Sequence, residues 1–532
     1  MIGLISTDTL FAQSWKRNLP TDKKGDYTFF DYQKAFNEYW KPYNVEGGYY
    51  INKKGEKIKA AGYKQFKRWE WYWAPRVDQK TGEFPQKSAF DIWKDYKKTK
   101  GAKSIGGTWT SIGDHELDAY SDPGALQESG TGRINCATFD PNDNNHFWVG
   151  APSGGLWETK DGGASWTCKT DNEMILGVSD IALSPNYSTD KTIYIATGDR
   201  DAGDDPSLGV LKSTDDGATW FRTDLKFKAG SNSQAVRVIV DPSNANNIYV
   251  ATSVGFYKST DAGVNFYLKQ NGDFIDMDMI PGSESGAGGA DLIATTNTAN
   301  AQAWRSTDAG ETWTATFTAA NSEEDRCDIA VTSANSNYVY LITAWDGGAI
   351  GSIYRSTNGG ASFSEVYDGA TKNNLFGWNE TNTRSDGGQG FYDVTLAVSS
   401  SNENVVYVGG VNAYISTNGA SSFVFSNRWD PAAGGTADEV HADHHNAYFR
   451  PSDDRLFDCN DGGLYYTDNA GSGSGANWVD ITDGLITGQV YDIGVSQTEA
   501  GSIVAGFQDN GGKYRDISTS ATDWEQIREG DG

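Results

Sequence analysis

The sequence predicts an all-β fold, a β-propeller of four-stranded blades preceded by a partly helical N-terminal arm. Three observations predict it: a turn motif that returns at regular spacing, an alternating strand pattern ahead of most copies, and the composition. The chain of 532 residues holds 62 glycines together with 18 Trp, 27 Tyr and 23 Phe. Such a composition suits a turn-rich chain that buries a large core.

The turn motif has the pattern S-x-D-x-G-x-x-W, and successive copies are about 46 to 60 residues apart. A period of this length indicates a propeller or a similar array. In each copy a short acceptor side chain can fold back on the amides of a tight turn, glycine can take the positive-φ position, and the aromatic residue begins the next strand. The motif therefore predicts structural turns on the outer edge of the blades, centred on Asp161, Asp215, Asp261, Asp308, Asn358, Asn418 and Asn469.

Alternating β-branched segments predict the inner strand of most units, and a second, a third and a fourth strand follow. The motif copies define about seven blades, and an eighth unit begins after the last copy. The pattern stops part-way through that unit at Gly532. We therefore expect a longer ring of up to ten blades or a second propeller. The inner strands are expected at residues 134–140, 178–184, 236–241, 327–332, 392–398 and 491–495.

The repeated motif resembles the Asp-box, or bacterial neuraminidase repeat, of sialidases, xyloglucanase-type glycoside hydrolases and sortilin-type receptors. The resemblance covers residues 104–532 and implies a β-propeller. It says less about activity, because one fold hosts many functions. The phrases HADHHNAYF and GFQDNGG are similar to those of secreted bacterial proteins described as sortilin-like or glycosyl-hydrolase-like.

Charge and termini favour an extracellular protein. The formal net charge of −27 argues against nucleic acid, whose phosphates require clustered Lys and Arg. Residues 1–13 resemble the end of a secretory signal peptide, and no apolar stretch of 18 residues follows. We expect a secreted or surface-displayed protein without a transmembrane segment. Cys136 and Cys168 are either a disulfide of one repeat unit or small buried residues.

Residues 14–103 form a separate basic segment, with 21 Lys and Arg against 11 Asp and Glu. Aromatic spacing predicts helices over residues 29–40, 59–73 and 88–98. We interpret this arm as packing on the acidic propeller of its own chain. The alternative is a segment that binds a surface partner. The arm also resembles N-terminal regions of large proteins secreted by bacteria with type IX secretion.

The loop at residues 437–449 holds three of the five histidines. Imidazole and carboxylate at this density can bind a divalent cation or line the channel as a hydrogen-bonded cluster. On an inner strand, His441, Asp443 and His445 would share one face and His444 the other. We expect no obligatory cofactor. Calcium is the candidate divalent cation for the acidic loops.

Glycoside hydrolysis requires two carboxylates that flank the scissile bond. Asp199, Asp346, Asp461 and Asp509 are the candidates on loops that face the channel. In xyloglucanase-type enzymes, the resemblance implies a catalytic aspartate in an early T-D-x-G-G loop. The corresponding stretch here is A-P-S-G-G at residues 151–155, which contains Ser153 but no acidic residue. A sialidase is disfavoured, because a strongly negative propeller is a poor host for an anionic sugar.

A binding role requires fewer specific residues than glycoside hydrolysis does. Trp345, Phe376 and Trp378 stand on or beside an insertion that lengthens one repeat, and His441 and His445 follow in a later loop. Such aromatic side chains can stack on sugar rings or grip a peptide. The preferred prediction is a non-catalytic, sortilin-like recognition or adhesion scaffold for glycan or protein ligands at the cell surface. The alternative is a glycoside hydrolase that acts on a neutral or basic polysaccharide.

Overall fold

The structure is a computed structural model that describes most of the chain. The predicted signal-peptide remnant at 1–13 and the domain boundary near residue 104 lie outside the described residues. The described residues are 14–23, 27–52, 55, 57–60, 62–99, 111–113, 130–203, 205–228, 231, 233–286, 288–430, 437–516, 524–528 and 530–532.

In the part of the chain that the structure describes, seven antiparallel sheets form the blades of a propeller, and each runs in chain order from an inner to an outer strand. Blades 1 to 4 comprise Cys136–Asp140, Asp143–Ala151, Gly155–Thr159 and Thr167–Cys168; Val178–Leu183, Ile193–Thr197, Val210–Ser213 and Phe221–Arg222; Ala235–Val240, Ile248–Thr252, Gly255–Ser259 and Tyr267–Gln270; Phe274–Met279, Leu292–Thr296, Gln302–Ser306 and Thr314–Thr318. Blades 5 to 7 comprise Glu324–Val331, Val339–Trp345, Ile350–Ser356 and Ser364–Asp368; Thr395–Val398, Val406–Gly409, Ala413–Ser416 and Val424–Arg428, with Asp438–Glu439 added in parallel; His444–Phe449, Leu456–Asn460, Leu464–Thr467 and Val479–Asp480.

The ring closes at seven blades. The inner strands of consecutive blades lie side by side, and the inner strand of blade 7 contacts that of blade 1. The amide of Ile134 donates to the carbonyl of Asn460 at 3.0 Å, and the side chains of Phe147 and Phe457 share one apolar cluster across the closure. The propeller prediction is confirmed. The expectation of a single ring of up to ten blades is wrong, because the seventh blade already packs on the first.

An eighth four-stranded sheet follows the ring and lies outside it. Its strands are Val490–Val495, Ile503–Phe507, Gly512–Arg515 and Glu525–Arg528. All residues of its first strand are exposed, unlike the buried inner strands of the ring. The sheet is held by hydrogen bonds to the end of the channel, among them Lys513 Nζ to the carbonyl of Gly130 at 2.7 Å. This sheet therefore covers part of the channel mouth.

The seven turn motifs share one hydrogen-bond pattern. In blade 2, Ser213 Oγ donates to Asp215 Oδ1 at 2.8 Å, and the same oxygen accepts from the amide of Thr219 at 2.8 Å. The other six aspartates and asparagines make the same two kinds of bond to the preceding hydroxyl and a following amide. Each motif connects the third strand of a blade to the fourth. Their side-chain oxygens are therefore occupied by hydrogen bonds within the turns.

The described part of the arm contains three helices with aromatic cores of their own. Helix α1 begins after Thr28, whose side chain and the Asp31 carboxylate form a capping box. Phe36 of α1 stacks on Phe66 of α2, with ring centroids 3.8 Å apart. The predicted helices are confirmed within about two residues, except that α2 begins four residues late, after Gly62. The helices are α1 Phe29–Trp40, α2 Tyr63–Trp73, α3 Ala89–Thr99 and a short α4 Tyr187–Asp190 in blade 2, with a hairpin of Tyr49–Ile51 and Lys57–Lys59, and 3₁₀ turns at Ser14–Asn18, Lys41–Tyr43, Ser283–Ser285, Arg384–Asp386 and Ala470–Gly475.

Helix α3 packs the arm against blades 1 and 2. Phe90 is buried in the same apolar cluster as Trp148 and Trp220. Around it, Lys94 pairs with Glu173, and Arg222 Nη1 lies 2.7 Å from the Asp91 carboxylate. Ion pairs of both polarities therefore connect helix α3 to the ring of its own chain.

We expect Phe90→Ala to loosen the arm while leaving the ring folded. Removing a buried phenylalanine side chain costs about 3–5 kcal/mol, and here the loss falls on the contact between α3 and the ring. Limited proteolysis within residues 62–99 should become faster, and the ring fragment should resist. Ile92→Ala is the matched control, because Ile92 is on the same helix but 56% exposed. Equal cleavage of both variants would contradict the role of Phe90.

All four cysteines are free thiols, so Cys136 and Cys168 are not paired. No helix of the described chain is long and apolar enough to cross a bilayer.

Candidate functional site

A pocket of about 140 Å³ opens at the channel mouth, between blades 6 and 7 and the eighth sheet. Asp443 immediately precedes the inner strand of blade 7, and Asp509 follows the second strand of the eighth sheet. Both have positive φ angles, 65° and 57°, which are uncommon outside glycine and often mark functional loops. The lining residues are Trp378, Gln389, Val411, Trp429, His441, Ala442, Asp443, Asp509 and Gly530.

The two carboxyl groups of this pocket hold protons more strongly than ordinary aspartates. Burial, followed by the negative charges of Asp461 and Asp443, raises the pKa of Asp509 to about 8. Burial and the charge of Asp461 raise the pKa of Asp443 to about 7. Gln389 Nε2 donates to Asp443 Oδ1 at 2.9 Å. The pair therefore retains a proton near neutral pH, which is the condition for a carboxylic acid to act as a proton donor.

Asp461 lies behind the pair as a buried anion. Its Oδ1 is 2.7 Å from His445 Nε2, and its Oδ2 accepts a hydrogen bond from the Tyr392 hydroxyl at 2.9 Å. Burial alone would raise the pKa of Asp461, but the His445 imidazolium and the Arg133 guanidinium outweigh burial and hold that pKa below its ordinary value. Asp461 is only 1% exposed. It therefore acts on the pocket by its charge.

His445 is bound on both ring nitrogens. Nδ1 is 3.1 Å from Asp201 Oδ2, and Nε2 contacts Asp461 as described. Burial and Arg133 lower the pKa of His445, but the two carboxylates outweigh them and raise it overall. Asp201 is also contacted by Arg326 Nη2 at 2.9 Å. This ion-pair network fixes the side chains beneath the pocket.

The loop that carries Asp509 is attached to the histidine-rich loop. His441 Nε2 lies 3.1 Å from the carbonyl oxygen of Asp509, and Asn510 Nδ2 donates to the carbonyl of Asp461 at 2.9 Å. These contacts bring a side chain of the eighth sheet to the mouth of the ring. They position Asp509 beside Asp443.

Two tryptophans form the other side of the pocket. Trp378 is 44% exposed, and its carbonyl accepts hydrogen bonds from Trp429 Nε1 at 3.2 Å and from Asn412 Nδ2 at 3.1 Å. A partly exposed indole beside carboxyl groups is suited to the apolar face of a sugar ring.

Other residues singled out from the sequence lie elsewhere. Phe376 is fully buried in an apolar cluster of blades 5 and 6, so its ring is not available to a ligand. Trp345 is partly buried with the Arg384 guanidinium 4.1 Å from its ring. Asp346 is on the loop after the second strand of blade 5, away from the pocket lining. Asp199 is buried and paired with Arg133 at 3.0 Å.

The structure places the histidine loop differently from a regular inner strand. The strand begins at His444, and a register shift follows it, so strict alternation does not apply to His441, Asp443 and His445. His444 Nδ1 lies 2.7 Å from Asp458 Oδ2. His441 and His445 use their ring nitrogens for carbonyl and carboxylate contacts respectively. Within the described residues, the predicted metal ligands His441, Asp443 and His445 do not form a group with metal-ligand spacing.

The sequence reasoning missed Trp429, Gln389 and Tyr392. Tyr392 and Gln389 lie at the end of the same insertion that contains Trp378. The unusual length of that insertion was the sequence feature that could have indicated a functional role for them. Trp429 follows the outer strand of blade 6, and no local pattern marks it. Ser153, in the stretch where the resemblance implies an acid, is hydrogen-bonded to the Asp205 carboxylate and accepts from Gln489 Nε2 at 2.8 Å.

The curated proteins that this chain resembles are named xyloglucanases. A xyloglucanase of Hypocrea jecorina is 30% identical over 222 residues, which are 35% of this chain and 26% of that protein. A xyloglucanase of Paenibacillus sp. is 26% identical over 233 residues, 37% of this chain and 22% of that protein. The chain spans about a quarter or less of the length of the curated relatives it matches. No family model matches it.

Solved structures support the fold. A xyloglucanase of glycoside hydrolase family 74 from Xanthomonas campestris superposes with a TM-score of 0.53 at 16% identity, over 72% of this chain and 59% of that chain. An enzyme of that family from Niastella koreensis gives 0.55 at 17% identity, over 78% and 61%. The curated relatives, in contrast, carry the name of a glycoside hydrolase, xyloglucanase. The expectation of a non-catalytic adhesion scaffold is therefore wrong, and the alternative, a glycoside hydrolase, fits better.

Proposed function

We propose that this protein is a glycoside hydrolase that acts on a neutral polysaccharide of the xyloglucan type at the channel-mouth pocket. The observation that carries the proposal is the pair Asp443 and Asp509, whose carboxyl groups share a pocket and have raised pKa values. The xyloglucanase names of the matched relatives support the substrate class.

Asp509 is the general acid of this proposal. Its pKa of about 8 keeps it protonated at neutral pH, so it can donate a proton to the leaving-group oxygen. Asp443, with the lower pKa of about 7, is the second carboxyl group and works as its anion. It would stabilise the positive charge that develops on the sugar, either as a nucleophile or by activating water. A bell-shaped pH profile centred between pH 7 and 8 is the expected signature of such a pair.

The charge of the site selects for neutral substrates. The anions of Asp443 and Asp461 lie at the pocket, and the chain carries a formal net charge of −27. An anionic polysaccharide would be repelled by this field. Trp378 and Trp429 supply the aromatic surface on which neutral sugar rings pack.

A substrate screen tests this proposal. The purified chain is incubated with xyloglucan, mixed-linkage β-glucan, chitosan and polygalacturonate, and both bound polysaccharide and new reducing ends are measured. We expect reducing ends from xyloglucan and none from polygalacturonate. Binding to xyloglucan without release of reducing ends would restore a binding role and refute the hydrolase.

Trp378→Ala should weaken substrate binding more than turnover. The indole forms a wall of the pocket but carries no proton for the reaction, so its loss removes binding energy common to the ground and transition states. We expect KM for xyloglucan to rise about tenfold, with kcat within about twofold of the native value. Trp71→Ala is the control, because Trp71 is 78% exposed on helix α2. A loss of kcat at unchanged KM would argue that Trp378 does not form a binding surface.

A further inference from the structure

A second cluster of ionisable side chains joins blades 1 and 2, and the proposed hydrolysis does not use it. His146 is on the second strand of blade 1, Glu158 on the third, and Asp216 in the turn motif of blade 2. One candidate ligand atom from each of these three lies within 4.8 Å of the others. His146 and Glu158 are buried, whereas Asp216 is partly exposed. The cluster is therefore reachable from solvent on the side of blade 2.

Both ring nitrogens of His146 face a carboxylate. Nδ1 lies 3.2 Å from Asp140 Oδ2, and Nε2 lies 2.9 Å from Glu158 Oε1. A neutral imidazole has only one N–H to donate, so it cannot satisfy both carboxylates. If Asp140 accepts from Nδ1, the lone pair of Nε2 faces Glu158. A carboxylate that orients a histidine in this way is the usual second partner of metal-binding histidines.

Asp216 is an exception among the turn motifs. It occupies a left-handed position, φ 61°, where the corresponding residues are glycine or alanine: Gly162, Ala262, Ala309, Gly359 and Gly419. The turn itself is held by the preceding residue, Asp215. The carboxylate of Asp216 instead accepts a hydrogen bond from Tyr187 of its own blade and pairs with Lys160 and Lys169 of blade 1. A charged side chain at a strained position that the turn does not require indicates a separate role.

In this structure, two lysines place positive charge beside the carboxylates of Glu158 and Asp216. Lys160 Nζ is 3.3 Å from both Glu158 Oε1 and Asp216 Oδ2, and Lys169 Nζ is 3.0 Å from Glu158 Oε2. The side chain of Lys160 is 60% exposed and that of Lys169 14% exposed. Lys160 can therefore rotate into solvent at little cost. A divalent cation together with Lys169 would then balance the three carboxylates of Asp140, Glu158 and Asp216.

We propose that His146 Nε2, Glu158 and Asp216 bind a divalent transition-metal ion, with Zn²⁺ as the reference ion, that clamps blade 1 to blade 2. Imidazole nitrogen and carboxylate oxygen are common zinc ligands, and a fourth position remains for water on the exposed side. Asp140 holds the imidazole in the tautomer that presents Nε2. The metal ion takes the place of the Lys160 ammonium group.

Zinc titration of the full chain tests this site. The protein is stripped with EDTA, dialysed and titrated with ZnCl₂, with calorimetry and thermal unfolding as readouts. We expect about one zinc ion per chain and a Tm that rises with zinc concentration. Asp216→Ala introduces the residue found at 262 and 309, so it should retain the native Tm in EDTA. It and His146→Gln should bind zinc at least about tenfold more weakly.

Lys160→Ala distinguishes a metal site from an ion-pair cluster. Removal of the competing ammonium group should tighten zinc binding. If the native protein and Lys160→Ala both fail to bind zinc stoichiometrically, the cluster is an ion-pair network alone and the proposal is wrong. Zinc binding that is equally strong in the native, Asp216→Ala and His146→Gln proteins would locate the metal elsewhere and also overturn it.

Discussion

Asp509→Asn should lower kcat on xyloglucan by about 10²–10⁴-fold while leaving KM within a few-fold of the native value. The size is that of a lost general acid, because asparagine keeps the shape of the side chain but has no proton to transfer. Burial and neighbouring anions keep the native carboxyl group protonated up to about pH 8. The loss should be much smaller for an aryl glycoside, whose leaving group requires little protonation. Kinetics on both substrates measure the difference.

Asp346→Asn is the matched control for this variant. Asp346 was an equally good candidate in the sequence, and its pKa is also raised by burial, but it does not line the pocket. We expect native kinetics from it. Equal activity of Asp509→Asn and the native protein, or equal loss on the two substrate classes, would remove Asp509 from the role of acid.

Asp461→Asn should move the pH profile and destabilise the fold. The Asp461 charge is the main electrostatic cause, after burial, of the raised pKa values of Asp443 and Asp509. Without it both pKa values fall. The acid form of Asp509 is then lost at lower pH, so the alkaline limb of kcat should shift down by about one pH unit. His445 also loses a buried partner, which costs about 3–5 kcal/mol of folding free energy.

Asp458→Asn separates the electrostatic effect from the structural one. Asp458 is a fully buried partner of His444, at 2.7 Å, and lies on the strand that ends just before Asp461, without lining the pocket. We expect a comparable drop in unfolding free energy but an unshifted pH profile. The profiles are measured at a temperature where both variants are folded. A profile that is unchanged in Asp461→Asn would show that its charge does not tune the pair.

The repeat predicted the fold because each copy is specified by contacts between residues that are close together in the sequence. A hydroxyl, a carboxylate or amide, a left-handed residue and an aromatic side chain specify one turn, so Asp215 and its counterparts reveal the blade period without knowledge of distant contacts. Ring closure is different. It depends on the packing of Phe147 on Phe457, some 300 residues apart in the sequence, and no local pattern limits the ring to seven blades.

The candidate site was predicted in part. The histidine-rich loop identified Asp443 as a candidate metal ligand, and the position of the channel-facing loops identified Asp461 and Asp509 as candidate acids, but neither signal told which of them faces solvent. That distinction arises from tertiary contacts: His445 and Tyr392 bury Asp461, whereas Asp443 and Asp509 stay at the pocket surface. Phe376 and Trp378 are two residues apart in the sequence, yet one is buried in the core and the other lines the pocket. Their different environments are set by how the insertion folds back on blade 6.

The most direct measurement is the rate at which the purified full chain releases new reducing ends from xyloglucan at pH 7.5, compared with Asp443→Asn and Asp509→Asn under the same conditions. We predict clear turnover by the native protein and a loss of at least about a hundredfold in each variant. Folded native protein that binds xyloglucan but releases no reducing ends, or release that both variants retain, would contradict hydrolysis at the channel-mouth pocket.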